Sequence, residues 1–170
     1  MAGSVADSRR DQAIAAALEL LESEGEGAVT MRRIAERIGV RAPSLYKHFP
    51  DKADLEAALA ARGLEGMAAA LEAAGPGFAA LARAYRAWAI GHPHLYAVTT
   101  GRPLPRDRVP AGLEERAAAP VLAAVGDPDR ARAAWASAHG LASLELAGRF
   151  PPGADLGAAW DAMAAAFAPR

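Results

Sequence analysis

The residues from 28 to 52 constrain the fold of this chain more than any other stretch. Thr30 is suited to the start of a helix, because its hydroxyl can accept a hydrogen bond from an unpaired backbone N–H. Spacings of three and four residues then give one apolar helix face, formed by Met31, Ile34, Ala35 and Ile38. Gly39 is expected to end this helix, since glycine readily adopts the left-handed conformation that a helix C-terminus needs.

A second short helix is predicted to begin near Arg41–Pro43, because proline fits the first turn of a helix. It would carry Leu45 and Phe49 inward and end at Pro50. The outward side chains would be Ser44, Lys47 and His48. Two short helices joined by a tight glycine turn form a helix-turn-helix.

The charge of this stretch differs from that of the whole chain. Between Val29 and Lys52 there are six basic and two acidic residues, which gives +4 in a chain of net charge −1. A local basic surface is what contact with nucleic-acid phosphates requires. Charge alone is equally typical of a solvated helical hairpin.

The order of the residues separates these two interpretations. Its first part reads Thr30-x-Arg32-x-Ile34-Ala35-x-x-Ile38-Gly39-Val40, and its second part reads Pro43-Ser44-Leu45-Tyr46-x-His48-Phe49-x-x-Lys52-x-x-Leu55. This order resembles the DNA-binding segment of TetR-type transcriptional repressors. The resemblance is dense over about residues 10–60 and weakens after about residue 72.

The resemblance implies an all-α fold. Residues 1–52 would form a three-helix DNA-binding domain, and residues 53–170 a helical domain for ligand binding and dimerisation. The second helix of the motif would lie in the major groove of double-stranded operator DNA, and the first would cross the backbone. The protein would then be a ligand-responsive transcriptional regulator, most simply a repressor.

The same resemblance assigns roles to individual residues. Phosphate contacts are implied for Thr30, Tyr46, His48 and Lys52. The candidates nearest to the bases are Arg32, Arg41, Ala42, Pro43, Ser44 and Lys47. Alanine at position 42 offers only a methyl group, which suits thymine, whereas Arg41 could read guanine through two hydrogen bonds.

Composition limits the other possibilities. With 170 residues the chain can form one large or two small domains. The absence of cysteine excludes disulfides, thiolate metal sites and cysteine nucleophiles. The sequence has neither an uninterrupted apolar run of about 18 residues nor an apolar signal segment at its N-terminus. We therefore expect a cytoplasmic protein with no membrane partner.

Hydrophobic spacing predicts further helices over about residues 8–24, 51–73, 78–91 and 128–149, and from Asp155 onward. Ser8 is the expected cap of the first, and Gly63 and Gly66 are expected to weaken the second. A weaker helix after Leu113 is predicted to be interrupted by Pro120. Residues 99–112 contain three prolines and two glycines, which indicates a long loop.

A small, largely apolar effector is expected in the C-terminal domain, where the family fold arranges helices around one cavity. The candidate lining residues are Met67, Tyr85, Trp88, Tyr96, Trp135 and His139. They combine apolar area with a few polar tips, as ligand pockets do, although aromatic residues at helical spacing also serve as core. The effector would favour one tilt of the helix over residues 51–73 and so lower the affinity for DNA.

The last two helices are predicted to form a homodimer interface, because one chain offers them too few apolar partners. The candidate interface residues are Gly140, Leu144, Gly148, Trp160, Met163 and Phe167. The two glycines would permit close approach of helices between protomers. Within the penultimate helix, Glu145 and Arg149 are four residues apart and could pair.

An enzyme and a protein-binding adaptor are the two alternative classes of protein. An enzyme would need a nucleophile with an oriented base, but Ser137, His139 and Ser143 share one predicted helix without a suitably placed carboxylate. A helical adaptor that binds proteins would keep the bundle without needing a basic reading surface. His92 and His94 could share a metal ion, but no cysteine or carboxylate lies close in sequence, so neither a metal nor a cofactor is expected.

Overall fold

A computed structural model describes residues 3–168, with side chains from residue 9 onward. These residues form nine α-helices and one 3-10 turn at Glu26–Ala28, with no strand among them. The all-α prediction is confirmed. The helices are α1 (Gly3–Glu24), α2 (Met31–Arg37), α3 (Ala42–Leu45), α4 (Lys52–Glu72), α5 (Phe78–Gly91), α6 (Pro93–Thr100), α7 (Leu113–Val125), α8 (Pro128–Leu146) and α9 (Leu156–Ala166).

The chain divides into two compact units. Unit 1 contains the residues up to Gly63 together with His92–Ala111. Unit 2 contains Leu64–Gly91 together with the residues from Gly112 onward. Helix α4 therefore begins in unit 1 and ends in unit 2. Compactness does not test function, so the functional boundary between residues 52 and 53 stays a prediction.

Unit 1 is built on α1, which packs against α2, the 3-10 turn and α6. The largest fully buried side chains of this unit are Phe49, Leu20, Leu21, Ile34, Leu45 and Leu55. Helix α1 begins at Gly3, five residues before the predicted start. Ser8 therefore lies inside the helix, and its side chain falls outside the described residues.

The two glycines of α4 permit close contacts. A Cβ atom on Gly63 would lie 1.8 Å from Oγ1 of Thr99 on α6, within unit 1. A Cβ atom on Gly66 would lie 2.9 Å from Nε1 of Trp88 on α5, within unit 2. Since α4 continues through both positions, the predicted weakening is offset by packing that only glycine allows.

Unit 2 is organised around α5, which packs against α7, α8 and α9. Its predicted apolar face is confirmed, since Phe78, Leu81, Tyr85 and Trp88 are all buried. Helix α8 meets its neighbours mainly through alanine side chains, which allow closely spaced helices. The buried alanines of α8 are Ala134, Ala138 and Ala142.

Two predictions about local structure in unit 2 are wrong. Helix α7 runs through Pro120 without interruption. Proline removes one backbone hydrogen bond, but buried Leu113 and Val121 hold the helix on either side of it. Helix α8 ends at Leu146, and Gly148 has a φ angle of 62°, so this glycine serves to terminate the helix.

The predicted pair between Glu145 and Arg149 is also wrong. Glu145 instead accepts hydrogen bonds from Arg86 of α5, at 3.0 Å from Nε and 2.7 Å from Nη2. It accepts a further bond of 3.0 Å from the indole Nε1 of Trp160 on α9. Burial raises the pKa of Glu145, but the bonds from Arg86 and Trp160 outweigh it, so the pKa lies below its ordinary value. One carboxylate thus joins three helices.

Candidate nucleic-acid interface

The turn between α2 and α3 has the geometry that its sequence predicts. The hydroxyl of Thr30 accepts a hydrogen bond of 3.2 Å from the backbone N–H of Arg33. Gly39 has a φ angle of 68°, which a residue with a side chain rarely adopts. The N–H of Val40 then donates to the carbonyl oxygen of Ala35, at 2.9 Å. The predicted N-cap and glycine stop are confirmed.

Helix α3 is shorter than predicted. It ends at Leu45, and residues 46–48 continue as a hydrogen-bonded turn rather than as helix. The physical reason is Pro50, which disfavours the helical conformation at Phe49 and tightens the preceding turn. Leu45 and Phe49 are nevertheless buried, so α3 and this turn keep one side in the core and the other exposed.

The candidates nearest to the bases occupy the exposed side. Arg32, Arg41, Pro43, Ser44 and Lys47 are exposed, whereas Ala42 is half-buried. The hydroxyl of Ser44 donates to the carbonyl oxygen of Arg41 at 2.7 Å. Its oxygen therefore remains available mainly as an acceptor, which suits an amino group on a base edge.

The phosphate candidates lie around the same surface. Thr30 and Lys52 are exposed, Tyr46 is 53% exposed, and His48 is half-buried. The ammonium of Lys52 lies 3.1 Å from a carboxylate oxygen of Glu56 one turn along α4. All four belong to unit 1. Contact with phosphate stays a prediction for each of them.

Ion pairs reduce the positive charge that the sequence indicates. Arg33 binds Glu24 through two hydrogen bonds of 2.9 and 2.7 Å, which lower the pKa of that carboxyl. Arg37 donates one hydrogen bond of 2.8 Å to a carboxylate oxygen of Glu19.

Arg32 is held at 2.8 Å from Glu36 one turn further along α2. By contrast, Arg41 and Lys47 form no ion pair with any residue that the structure describes. They are therefore the cations of the helix-turn-helix most available to DNA.

Two further cations lie close to this surface, and for Arg10, at the start of the first predicted helix, the family resemblance already suggests phosphate contact. The guanidinium of Arg10 lies 5.0 Å from the centre of the Phe49 ring, which places a cation of α1 beside the end of the motif. Arg108, from the loop after α6, binds Asp51 immediately before α4. The sequence shows three arginines in this loop, but no local pattern could reveal the distant carboxylate partner of Arg108.

The effector candidates are divided between the two units. Met67, Tyr85 and Trp88 are buried in unit 2, whereas Tyr96 is buried in unit 1. Trp135 is 50% exposed and stacks on His139, with ring centres 6.0 Å apart. Burial lowers the pKa of His139, which favours its neutral form. A shared role in binding a ligand stays a prediction.

The interface candidates have unequal exposure. Leu144 is 45% exposed, and a Cβ atom on Gly140 would meet no other atom within 4 Å. Phe167 contacts Phe78 edge to face within unit 2, with ring centres 5.7 Å apart, and Met163 is half-buried.

Trp160 and Gly148 contradict their predicted interface roles. Trp160 is 3% exposed and hydrogen-bonded to Glu145, so it belongs to the core of its own chain. Gly148 follows the last turn of α8, where its left-handed backbone conformation rather than close helix packing explains the glycine.

The candidate residues for catalysis or metal binding have ordinary structural contacts. The hydroxyl of Ser137 donates to the carbonyl oxygen of Ala133 at 2.8 Å. His94 packs against Gly25. Among the described side chains, those of residues 9–168, the structure has no cluster of three or more suited to a metal ion. No helix in the same range is both long enough and apolar enough to span a membrane.

Comparison with known proteins covers both units. Residues 13–59 match the family model for bacterial regulatory proteins of the tetR family. Residues 78–167 match the model for the tetracyclin repressor-like C-terminal domain. The chain is 32% identical over 154 residues to Rv0681 of Mycobacterium tuberculosis, an uncharacterised HTH-type transcriptional regulator, with 82% of this chain and 71% of that protein covered.

Two solved proteins have a similar fold over nearly the whole chain. The crystal structure of the protein SCO4313 is 28% identical, with a TM-score of 0.78 and 97% of each chain covered. The multidrug binding protein EbrR, in complex with imidazole, is 26% identical, with a TM-score of 0.74, and the match covers 95% of this chain and 96% of that one. A second structure of EbrR contains ethidium.

Proposed function

Because the chain belongs to the TetR family of DNA-binding transcription regulators, which are usually repressors, we propose that it binds operator DNA as a homodimer and is released by a small, largely apolar effector. Residues 1–52 are the proposed DNA-binding domain and residues 53–170 the proposed effector and dimer domain. Contact with chromosomal DNA would place the protein in the cytoplasm.

One observation carries the DNA-binding proposal. Leu45 and Phe49 anchor one side of α3 and the following turn in the core, and this leaves Arg41, Tyr46 and Lys47 exposed together. Arg41 and Lys47 have no carboxylate partner among the described residues, so binding to DNA would not first require an ion pair to break. A protein-binding adaptor would gain nothing from this arrangement.

The DNA-binding test separates contacts with phosphates, which position the protein, from contacts with bases, which recognise the sequence. Tyr46→Ala or Lys52→Ala should weaken binding by a similar factor for every DNA sequence. Arg41→Ala should instead relax the preference at one base position, by about 1–3 kcal/mol if the arginine reads guanine with two hydrogen bonds. A selection from random duplexes, followed by titration at several salt concentrations, measures both effects. Affinity that does not change with salt would contradict phosphate binding.

The effector proposal is supported by buried aromatic residues in unit 2 and by the ethidium complex of EbrR. Tyr85 and Trp88 on α5, together with Met67 on α4, supply apolar area with two polar tips. By linkage, an effector that weakens DNA binding must itself bind less tightly when DNA is present, by the same factor. Calorimetric titration of ethidium with and without DNA-bound protein tests this directly. Equal affinity in the two titrations would mean that ethidium is no inducer.

The homodimer proposal rests on the exposed apolar residues of α8. Trp135 and Leu144 are both about half exposed, which is unusual for large apolar side chains on a helix of a lone chain. A dimer would place two reading surfaces roughly 34–36 Å apart, as successive major grooves require. Sedimentation at micromolar concentration tests it, with Leu144→Glu as the disrupting variant. A wild-type monomer in that experiment would exclude the interface.

A further inference from the structure

The loop between α6 and α7 carries a feature that the proposed function does not use. Residues 101–111 contain three arginines and three prolines, and they belong to unit 1. Nη1 of Arg108 lies 2.8 Å from a carboxylate oxygen of Asp51 and 2.8 Å from one of Asp54. Arg102 pairs with Glu26 and, at 3.4 Å, with Glu56.

These carboxylates surround Lys52, a proposed phosphate contact. Residues 51–56 hold three acidic side chains and one lysine, so the start of α4 is net negative by two charges. Lys52 itself is held at 3.1 Å from Glu56. Negative charge beside a phosphate contact repels DNA, because two like charges a few ångströms apart interact unfavourably even in water.

Asp51 keeps its negative charge near neutral pH. The hydrogen bond from Arg108, followed by the bond from the backbone N–H of Asp54, holds the pKa of Asp51 below its usual range. Asp51 also caps α4, since its carboxylate accepts that N–H at 2.8 Å. The charge must therefore be balanced by a cation, and this cation comes from residues 101–111.

We propose that residues 101–111 form an electrostatic strap, in which Arg102 and Arg108 balance the acidic start of α4 so that Lys52, Tyr46 and His48 can approach DNA phosphates. With the two arginines included, the net charge around Lys52 rises from −2 to zero, leaving aside Glu26, which Arg102 also binds, and Asp107, which lies 3.8 Å from Arg108. Arg102 and Lys52 share one carboxylate oxygen of Glu56, at 3.4 and 3.1 Å, so Arg102 weakens the attraction between Glu56 and the ammonium group of Lys52. This proposal rests on the proposed DNA-binding function. In it, the strap helps to position the phosphate contacts and does not itself bind DNA.

The backbone of the strap is arranged to hold Arg108 in place. The N–H groups of Arg108 and Val109 both donate to the carbonyl oxygen of Pro105, at 2.9 and 3.1 Å. Proline at positions 103, 105 and 110 restricts the loop before it binds. A restricted loop loses less conformational entropy when its arginines are fixed, which favours a persistent contact.

The test compares two arginines that bind opposite ends of α4. Arg108→Gln removes the strap contact with Asp51 and Asp54. Arg116→Gln is the matched control, because Arg116 binds Glu72, the last residue of α4, through two hydrogen bonds of 2.7 and 2.6 Å. The probe is a random-sequence DNA duplex of about 30 base pairs, long enough for two successive major grooves. Fluorescence anisotropy at one low salt concentration gives the affinity of each variant, and wild type is also titrated at higher salt.

We expect Arg108→Gln to weaken binding by about three- to ten-fold and the control to leave it unchanged. Adding Asp51→Asn and Asp54→Asn to Arg108→Gln should restore the affinity, since asparagine still caps α4 but carries no charge. Equal affinities for Arg108→Gln and wild type would overturn the strap while leaving DNA binding intact. A loss of affinity that Asp51→Asn and Asp54→Asn do not restore would also overturn the strap. The loop would then affect DNA binding through its structure and not through its charge. No salt-dependent binding by wild type would refute the proposed function itself.

Discussion

Units 1 and 2 use charged residues in opposite ways. In unit 1 the ion pairs lie at the surface, and the side chains of Arg33 and Glu24 are 39% and 44% exposed. In unit 2 the carboxylate of Glu145 is only 12% exposed and joins Arg86 and Trp160. Exposed pairs contribute little to folding because water and salt screen them, whereas a buried charge that loses its partner is strongly unfavourable. The Arg33–Glu24 pair of unit 1 therefore contributes little to folding, whereas the half-buried Glu145 of unit 2 holds three helices together.

The largest expected effect concerns the buried carboxylate. Glu145→Ala should lower the free energy of unfolding by about 3–5 kcal/mol, because it leaves the guanidinium of Arg86 partly buried without a partner. The matched variant is Glu72→Ala, which removes the exposed partner of Arg116. Urea unfolding at neutral pH measures both. Losses of similar size in the two variants would break the distinction between buried and exposed pairs.

The second prediction tests whether unit 1 depends on packing rather than on its ion pairs. Gly63→Ala would place a Cβ atom 1.8 Å from Oγ1 of Thr99 and should destabilise the protein by about 1–3 kcal/mol. Thr99→Ala removes that oxygen and should make the added methyl group less harmful, in a double-mutant cycle. Gly91→Ala is the control, since a Cβ atom there meets nothing within 4 Å. Additive effects of the two substitutions would show that this contact is not the cause.

The third prediction compares paired and unpaired cations within unit 1. Lys47→Gln should reduce the slope of log affinity for DNA against log salt by roughly one, because it removes one positive charge from the proposed DNA-binding surface and so reduces the release of counterions from DNA. Arg33→Gln should leave the slope unchanged, since Glu24 already occupies that guanidinium. The same salt titration serves both variants. A reduced slope for Arg33→Gln would mean that the pair opens when DNA binds.

The smallest effect concerns pH and unit 2. Burial lowers the pKa of His139 in the folded protein, so the imidazole takes up a proton more readily in the unfolded chain. The stability contributed by the neutral imidazole of His139 is complete above the ordinary pKa of about 6.5. It is lost as the pH falls through the lowered pKa of the folded protein. His139→Gln should flatten the fall of Tm with pH in that window. An unchanged pH profile would assign the dependence to other groups.

Local sequence was sufficient wherever one residue had one structural role. Thr30 and Gly39 predicted the start and the end of α2, since a cap and a left-handed turn depend on neighbouring backbone atoms. The spacing of Phe78, Leu81, Tyr85 and Trp88 predicted the buried face of α5, because helical periodicity is a property of the segment itself. The family resemblance that proposes a DNA-reading surface also rests on the local order of residues 28–52.

Tertiary structure alone decided which charged and aromatic residues meet. The sequence suggested Arg149 as the partner of Glu145, but the fold supplies Arg86 from 59 residues away, and that buried contact outweighs an exposed pair on one helix. Trp160 has the spacing of an interface residue, yet its indole is used inside its own chain. The count of +4 for the helix-turn-helix includes neither the carboxylates of α1 nor the arginines of the strap, which lie elsewhere in the sequence. Periodicity describes a segment, whereas the partner of a charge depends on every segment that the fold brings within a few ångströms.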